Sequence, residues 1–166
     1  MILAAGTIGT RNWRYDRKPY AVAAAMVAAG AFAGAAMAQT LDCGEHAAMR
    51  DVAEPWYENT TAFANGAIRL AVSDAGAPAC CSLRLVVLYP DPTSPDGGRA
   101  CAVIEDRPGE GYFSIDVREA DGRYDAETGL SVSVPARRAA ADGSGVGPRA
   151  DIAFTVNQQT GTLTRP

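Results

Sequence analysis

Leu83-Arg84-Leu85-Val86-Val87-Leu88-Tyr89 is the stretch that decides the fold of this chain. Apolar residues fill nearly every position of it, which is typical of a strand covered on both faces. Pro90 ends the run, and the following loop, 91–98, consists of Asp, Pro, Thr, Ser and Gly, which favour turns. We therefore predict that 83–89 is the central strand of a β-sheet.

The segments around this strand alternate between apolar and polar residues with period two, as half-buried strands do. The predicted inward-facing residues are Ile68, Leu70 and Val72; Phe113, Ile115 and Val117; and Ile152, Phe154 and Val156. Segment 45–53 contains helix formers without a breaker, so one short helix is predicted before Pro55.

Two five-residue segments carry the same turn signal. Asp125-Ala126-Glu127-Thr128-Gly129 and Asn157-Gln158-Gln159-Thr160-Gly161 each begin with a side chain that can bond its own backbone and end on glycine. Both are predicted to close tight antiparallel hairpins. Segment 136–149 lacks any strand or helix period and is predicted to be a flexible loop. The expected fold is mainly β, a small antiparallel β-sandwich or open barrel with one short N-terminal helix.

The first 38 residues have the pattern of a signal peptide. Four basic residues at positions 11, 14, 17 and 18 precede an uncharged run from Tyr20 to Met37, and Ala36-Met37-Ala38 fits the peptidase. We expect cleavage after Ala38, a single domain over 39–166 and a periplasmic or secreted location. An uncleaved anchor is the alternative, but Ala and Gly insert poorly into bilayers.

Cleavage would leave an acidic domain. The leader takes four basic residues and one acid, so 39–166 keeps 11 Arg and Lys against 18 Asp and Glu, a net charge of −7. Such a charge repels nucleic acid and anionic lipid, which makes both poor candidate partners. Stable membrane insertion after cleavage is not expected.

The four cysteines, Cys43, Cys80, Cys81 and Cys101, all follow the predicted cut and would meet an oxidising compartment. Four cysteines can be joined into two disulfides in three different ways. We expect Cys101 to bond Cys80 or Cys81 and Cys43 to take the other, because a Cys80–Cys81 bond would need a strained ring.

Catalytic patterns are sparse. His46 is the single histidine of the sequence, and it lies at helical spacing from Cys43. The alternative to a non-catalytic role is that Cys43 and His46 form a nucleophile with its base, or half of a metal site. Acidic candidates for calcium or glycoside chemistry are Glu105-Asp106 with Glu110, and Asp91 with Asp96. Serine-elbow, phosphate-loop and CxxC motifs do not occur, so we predict no catalytic residue, metal or cofactor.

Aromatic residues are the remaining candidates for a binding surface. Trp56 and Tyr57 follow Pro55, and Tyr89 ends the predicted central strand. The alternative interpretation is that these rings plug the open end of the β scaffold.

Several short motifs resemble a group of uncharacterised secreted proteins of GC-rich Gram-negative bacteria. They are Trp56-Tyr57-Glu58-Asn59, Phe63-Ala64-Asn65-Gly66, Pro78-Ala79-Cys80-Cys81, Leu85 to Leu88, and Asn157 to Gly161. The resemblance implies export and a shared β fold, and it brings no functional residue.

The sequence predicts an exported, non-catalytic binding module for an envelope protein or a glycan. One alternative is a small hydrolase or metal-dependent enzyme using His46 and nearby carboxylates. A second is a structural envelope protein stabilised by its disulfides.

Overall fold

A computed structural model describes residues 39–76 and 80–166, so the predicted signal peptide lies outside the described residues. These residues are rich in strands and hold three short 3-10 helices, at Gly44–Ala47, Met49–Asp51 and Ala64–Gly66. The strands are β1 Gln39–Asp42, β2 Thr60–Phe63, β3 Ile68–Asp74, β4 Leu83–Pro90, β5 Arg99–Glu105, β6 Ser114–Ile115, β7 Asp121–Asp125, β8 Gly129–Val134, β9 Ala136–Ala139, β10 Val146–Arg149, β11 Ile152–Asn157 and β12 Thr162–Thr164.

The strands form antiparallel sheets, which confirms the predicted mainly-β class. Their orders are β1-β5-β4-β3-β2, β12-β11-β8-β7 and β10-β9-β6. All three sheets contribute to one hydrophobic core, with Leu85 of β4, Phe154 of β11 and Ile115 of β6 among its members. This arrangement is consistent with the predicted sandwich.

Residues 83–89 lie in β4, which is the central strand of the five-stranded sheet, as predicted. Leu85 and Val87 point inward and are fully buried in the core. Val86 is buried on the opposite, outer face of the same sheet, where it pairs with Val103 of β5. Both faces of β4 are therefore covered, which explains its nearly continuous apolar sequence.

The predicted N-terminal helix over 45–53 is wrong. Two 3-10 turns replace it, and Ala48 between them has extended backbone angles. Val52 forms a β-bridge with Ser73, and the Ala53 N–H donates to the Val72 carbonyl. Tertiary pairing has therefore overridden local helix propensity. Among the described residues, no helix has the length and apolar character required to cross a membrane.

The strand predicted to contain Phe113, Ile115 and Val117 is shorter than expected, because its ladder pairing is confined to β6. Ile115 and Val117 are buried as predicted, whereas Phe113 is exposed and Tyr112 is buried in its place. The Asp116 carboxylate accepts bonds from the N–H groups of Arg118 and Glu119. This local turn ends the strand because its backbone donors bond to a side chain instead of a neighbouring strand.

Segment 136–149, predicted to be a flexible loop without strands, contains the paired strands β9 and β10, so the expected lack of strands is wrong. The strands approach closely at Gly147, where a Cβ atom would lie 2.3 Å from the carbonyl oxygen of Ala139. At the tip, the Asp142 carboxylate accepts a bond from the Ser144 N–H. The sequence of this hairpin lacks period-two alternation because its pairing depends on backbone contacts that small residues permit.

Both predicted tight hairpins are confirmed. The Asp125 carboxylate accepts from the N–H groups of Glu127 and Thr128, and the Asn157 side-chain oxygen accepts from those of Gln159 and Thr160. Gly129 has φ +104°, and a Cβ there would lie 2.3 Å from the Val156 carbonyl oxygen. Only glycine therefore fits this close approach.

The first turn has carboxylates at Asp125 and Glu127 where the second has the amides of Asn157 and Gln159, and Asp125 gives a testable pH dependence. Bonds from Thr128 and Glu127 hold the pKa of Asp125 below its ordinary value of 3.8. The stability that this carboxylate contributes is complete above its unfolded pKa and is lost as pH falls through the lower folded pKa. We expect Asp125→Asn to reduce the acid dependence of the unfolding midpoint between pH 5 and 2, measured in urea at a series of pH values. Equal slopes for both proteins would contradict this.

Candidate functional site

A strap of chain, 43–53, crosses the outer face of the five-stranded sheet. At one end Cys43 is bonded to Cys101 of β5. At the other end Val52 bridges to Ser73 of β3, so the strap is held at two separate strands. Val86 and Val103, which point to this face, are buried. The strap thus gives the sheet its second covered face.

A groove of about 830 Å³ lies on this outer face, beside the strap. It is bordered by the strap, by the loop that carries Trp56, and by strands β2, β3 and β4. Its lining side chains are mostly apolar, and they include Met49, Val52, Trp56, Ala62, Ala71, Val86 and Leu88. Concave, mainly apolar sites with a few polar groups are typical of ligand binding.

Trp56 and Tyr57 sit in a turn that is fixed by local hydrogen bonds. The Thr60 hydroxyl donates to the Trp56 carbonyl at 2.9 Å, and the Asn59 amide donates to the Pro55 carbonyl at 3.1 Å. Both rings are 63% exposed, so neither plugs the end of the scaffold. Trp56 lines the groove, whereas Tyr57 is not among its lining residues.

Tyr89, the third predicted binding residue, lies elsewhere. It is only 9% exposed and packs in the hydrophobic core on the inner face of β4. Burial, followed by the negative charge of Asp91, raises the pKa of its hydroxyl. The structure therefore does not bring Tyr89 together with Trp56.

The charged residues of the groove were not predicted from the sequence. Arg50 and Arg69 line it together with Glu54, and Arg50 is paired with Asp51 at 3.4 Å. The Arg69 Nε donates to the Gly66 carbonyl at 3.1 Å, which fixes its position. The alternation of inward and outward side chains does place Arg69 and Leu88 on the outer face of the sheet. Nothing in the sequence shows, however, that the strap 43–53 would lie next to these two residues.

The acidic pair Glu105-Asp106 is almost completely buried, at 1% and 2% exposure. Glu105 pairs with Arg84 at 3.2 Å and accepts the Gly109 N–H at 2.9 Å. Asp106 pairs with Arg138 at 2.6 Å. Each carboxylate is thus held by an arginine, an arrangement that ties the 105–111 turn to the surrounding strands.

Tyr112 lies beside this acidic pair. Burial raises the pKa of the Tyr112 hydroxyl, whereas the nearby positive charge of the Arg165 guanidinium lowers it by a smaller amount. The Nε and Nη1 atoms of Arg165 are buried without a hydrogen-bond partner.

The other acidic and histidine candidates do not converge on a site. Asp91 accepts bonds from the hydroxyl and N–H of Thr93, which lower its pKa. His46 lies in the turn Gly44–Ala47, and its side chain lies outside the described part of the structure. Within residues 39–76 and 80–166, no three His, Cys, Asp or Glu side chains are grouped to hold a metal.

The disulfide pairing differs from the expected one. Cys43 is bonded to Cys101, with 5.6 Å between their Cα atoms, and Cys80 is bonded to Cys81. Cys101 faces Leu88 near the end of β4, whereas Cys81 precedes its start. The separation between these two ends, about 17 Å, is too long for a disulfide, while β1 places Cys43 directly beside Cys101.

Comparisons with known proteins add no further assignment. No family model, curated protein or solved structure matches this chain.

Proposed function

We propose that this protein is an exported, non-catalytic interaction module whose outer-face groove binds an extended segment of a cell-envelope protein. The observation that carries the proposal is an apolar groove bordered by the edge strand β2. An extended peptide can add to such an edge by backbone hydrogen bonds while its side chains fill the adjacent groove.

The pairing pattern of β2 favours this mode of binding. The Val72 N–H donates to the Asn59 carbonyl, and the register continues as Thr60 opposite Ala71 and Ala62 opposite Arg69. Backbone groups alternate in direction along an antiparallel strand. The N–H and carbonyl groups of Thr60 and Ala62 therefore point away from β3, towards an incoming strand.

The lining of the groove defines the chemistry of the partner. Trp56, Met49 and Leu88 supply large apolar contacts, and tryptophan is enriched among the residues that dominate binding energy. Arg69 favours an acidic residue in the partner, whereas Arg50 is paired with Asp51 of the same strap. The expected ligand is an extended peptide with apolar side chains and at least one carboxylate.

Export is supported by the leader pattern of residues 1–38 and by the paired cysteines of the described chain. In an envelope compartment a small domain needs a scaffold that resists unfolding. The sheets packed on one core, as in a β-sandwich, would provide such a scaffold.

A displayed library of random peptides, selected against domain 39–166 with its disulfides intact, tests the proposal. We expect apolar, acidic peptides whose binding shifts the backbone amide resonances of β2 and the Trp56 indole signal. Trp56→Ala should weaken binding of a selected peptide by at least about tenfold, as loss of a buried aromatic anchor does. Tyr57→Ala is the matched control, because that ring is equally exposed and does not line the groove.

A second variant separates strand addition from simple side-chain contact. Ala62→Pro removes an N–H that points away from β3, so the sheet should tolerate it while an incoming strand loses a donor. Peptides that bind Trp56→Ala and wild type equally, or that leave β2 unshifted, would contradict the proposal.

A further inference from the structure

Met49 is the most exposed large apolar side chain in the described part of the chain, at 86% exposure. It lines the outer-face groove together with Trp56, whose ring is also exposed. A large apolar side chain in contact with water lacks the stabilisation that burial would give it. Methionine is common at surfaces that bind partners, because its unbranched side chain adapts to different ligand shapes. Met49 therefore belongs to the binding surface of the groove and not to the hydrophobic core.

The backbone that carries Met49 is held in place. The Asp51 N–H donates to the Ala48 carbonyl at 2.9 Å, and the Val52 N–H donates to the Met49 carbonyl at 3.3 Å. The two ends of the strap are fixed by its disulfide to β5 and by its bridge to β3. A chemical change in the Met49 side chain therefore takes effect beside the groove, because the backbone keeps that side chain there.

Met49 also carries the sulfur atom that is most open to oxidation in residues 39–166. It is the single methionine of that segment, and no cysteine among the described residues is a free thiol. A thioether is oxidised by hydrogen peroxide to the sulfoxide. A sulfur lone pair attacks one peroxide oxygen and forms the S–O bond while the O–O bond breaks. The sulfur is oxidised, the peroxide is reduced, and the second oxygen leaves as water.

We propose that Met49 is a modification site whose oxidation by a peroxide makes the groove more polar and weakens its binding of apolar ligands. This inference rests on the proposed function, because the modified residue would regulate the same groove. The sulfoxide replaces a flexible apolar side chain with a polar one. An apolar ligand that covered the new S=O oxygen would remove its water without offering a hydrogen bond in return, which costs free energy. Methionine sulfoxide reductases reverse the modification, so the effect would be a reversible switch.

Treatment of the disulfide-intact domain 39–166 with hydrogen peroxide tests this inference. We expect a mass gain of one oxygen atom, located after reduction and trypsin digestion in peptide 39–50. The affinity for a peptide selected from the displayed library should fall about fivefold to tenfold, as expected when an apolar contact is lost. Methionine sulfoxide reductases should restore that affinity. Oxidised protein that binds the selected peptide as tightly as untreated protein would overturn the proposal.

Two variants assign the effect to Met49. Met49→Leu has no oxidisable sulfur, so peroxide should leave the affinity of this variant equal to its own untreated value. Met49→Gln places a polar group of similar length at the same position, and it should weaken peptide binding without peroxide about as much as the sulfoxide does. An equal peroxide effect in wild type and Met49→Leu would place the damage at another residue and overturn the proposal.

The fluorescence of Trp56 distinguishes failure of this inference from failure of the proposed function. Trp56 is the single tryptophan of residues 39–166, and it lines the same groove as Met49. With no peptide present, oxidation should change the Trp56 emission in wild type and leave it unchanged in Met49→Leu. If no peptide binds the domain, the proposed function fails, and the emission alone decides this inference. A change confined to wild type would then support it, and an unchanged emission would overturn it.

Discussion

Replacing Glu105 with alanine is expected to lower the free energy of unfolding by about 3 to 5 kcal/mol, the usual cost of breaking a buried ion pair. The Glu105 carboxylate is 1% exposed and contacts the Arg84 Nε at 3.2 Å. Its loss leaves a largely buried guanidinium without its counter-charge. It also removes the acceptor for the Gly109 N–H, which closes the 105–111 turn. Urea unfolding followed by fluorescence would measure the change.

Glu110→Ala is the matched control. Glu110 pairs with Arg107 in the same turn, but both side chains are substantially exposed, so the expected loss is below about 1 kcal/mol. Glu105→Gln separates charge from hydrogen bonding, because the amide oxygen can still accept the Gly109 N–H. Equal losses of unfolding free energy for Glu105→Ala and Glu110→Ala would show that the buried Glu105–Arg84 pair does not hold the turn in place.

Removal of the Cys43–Cys101 disulfide is expected to have the second large effect. The bond joins residues 58 positions apart, and closing a loop of that length restricts the unfolded chain by about 4 kcal/mol in the entropic model. The paired variant Cys43→Ser and Cys101→Ser should lose that much stability relative to the oxidised wild type, and the difference should disappear once the wild type is reduced. It should also weaken peptide binding, because the strap that borders the groove loses one anchor.

Cys80→Ser with Cys81→Ser provides the comparison. These residues are adjacent in sequence, so their bond closes almost no loop and its removal should cost less than about 1 kcal/mol. Trypsin tests the pairing directly, since cleavage after Arg50, Arg69, Arg84 and Arg99 places the cysteines on three peptides. We expect the peptide holding Cys43 to be linked to the one holding Cys101, and 70–84 to be unlinked. A link between 70–84 and either of the others would contradict the structure.

The paired turns and the groove differ in how visible they are in the sequence. The turns 125–129 and 157–161 share a motif visible in the sequence, but their position side by side depends on the pairing of β8 with β11. Trp56 was a predicted binding residue, whereas its neighbours Met49, Arg69 and Leu88 come from three separate elements. A binding surface assembled from distant segments leaves no local pattern that single-sequence analysis could detect.

The sequence by itself determined the strands and turns whose signals are local. Local signals are enough for the period-two burial of Ile68, Leu70 and Val72, for the continuous apolar run 83–89 at the centre of the sheet, and for both glycine-closed hairpins, because each depends only on the side chains and backbone preferences of neighbouring residues. Tertiary structure decided the rest. The strap 43–53 is not a helix because pairing with β3 and the bond to Cys101 outweigh its weak local preference. The cysteine pairing and the groove follow from the same long-range contacts, which no local pattern encodes.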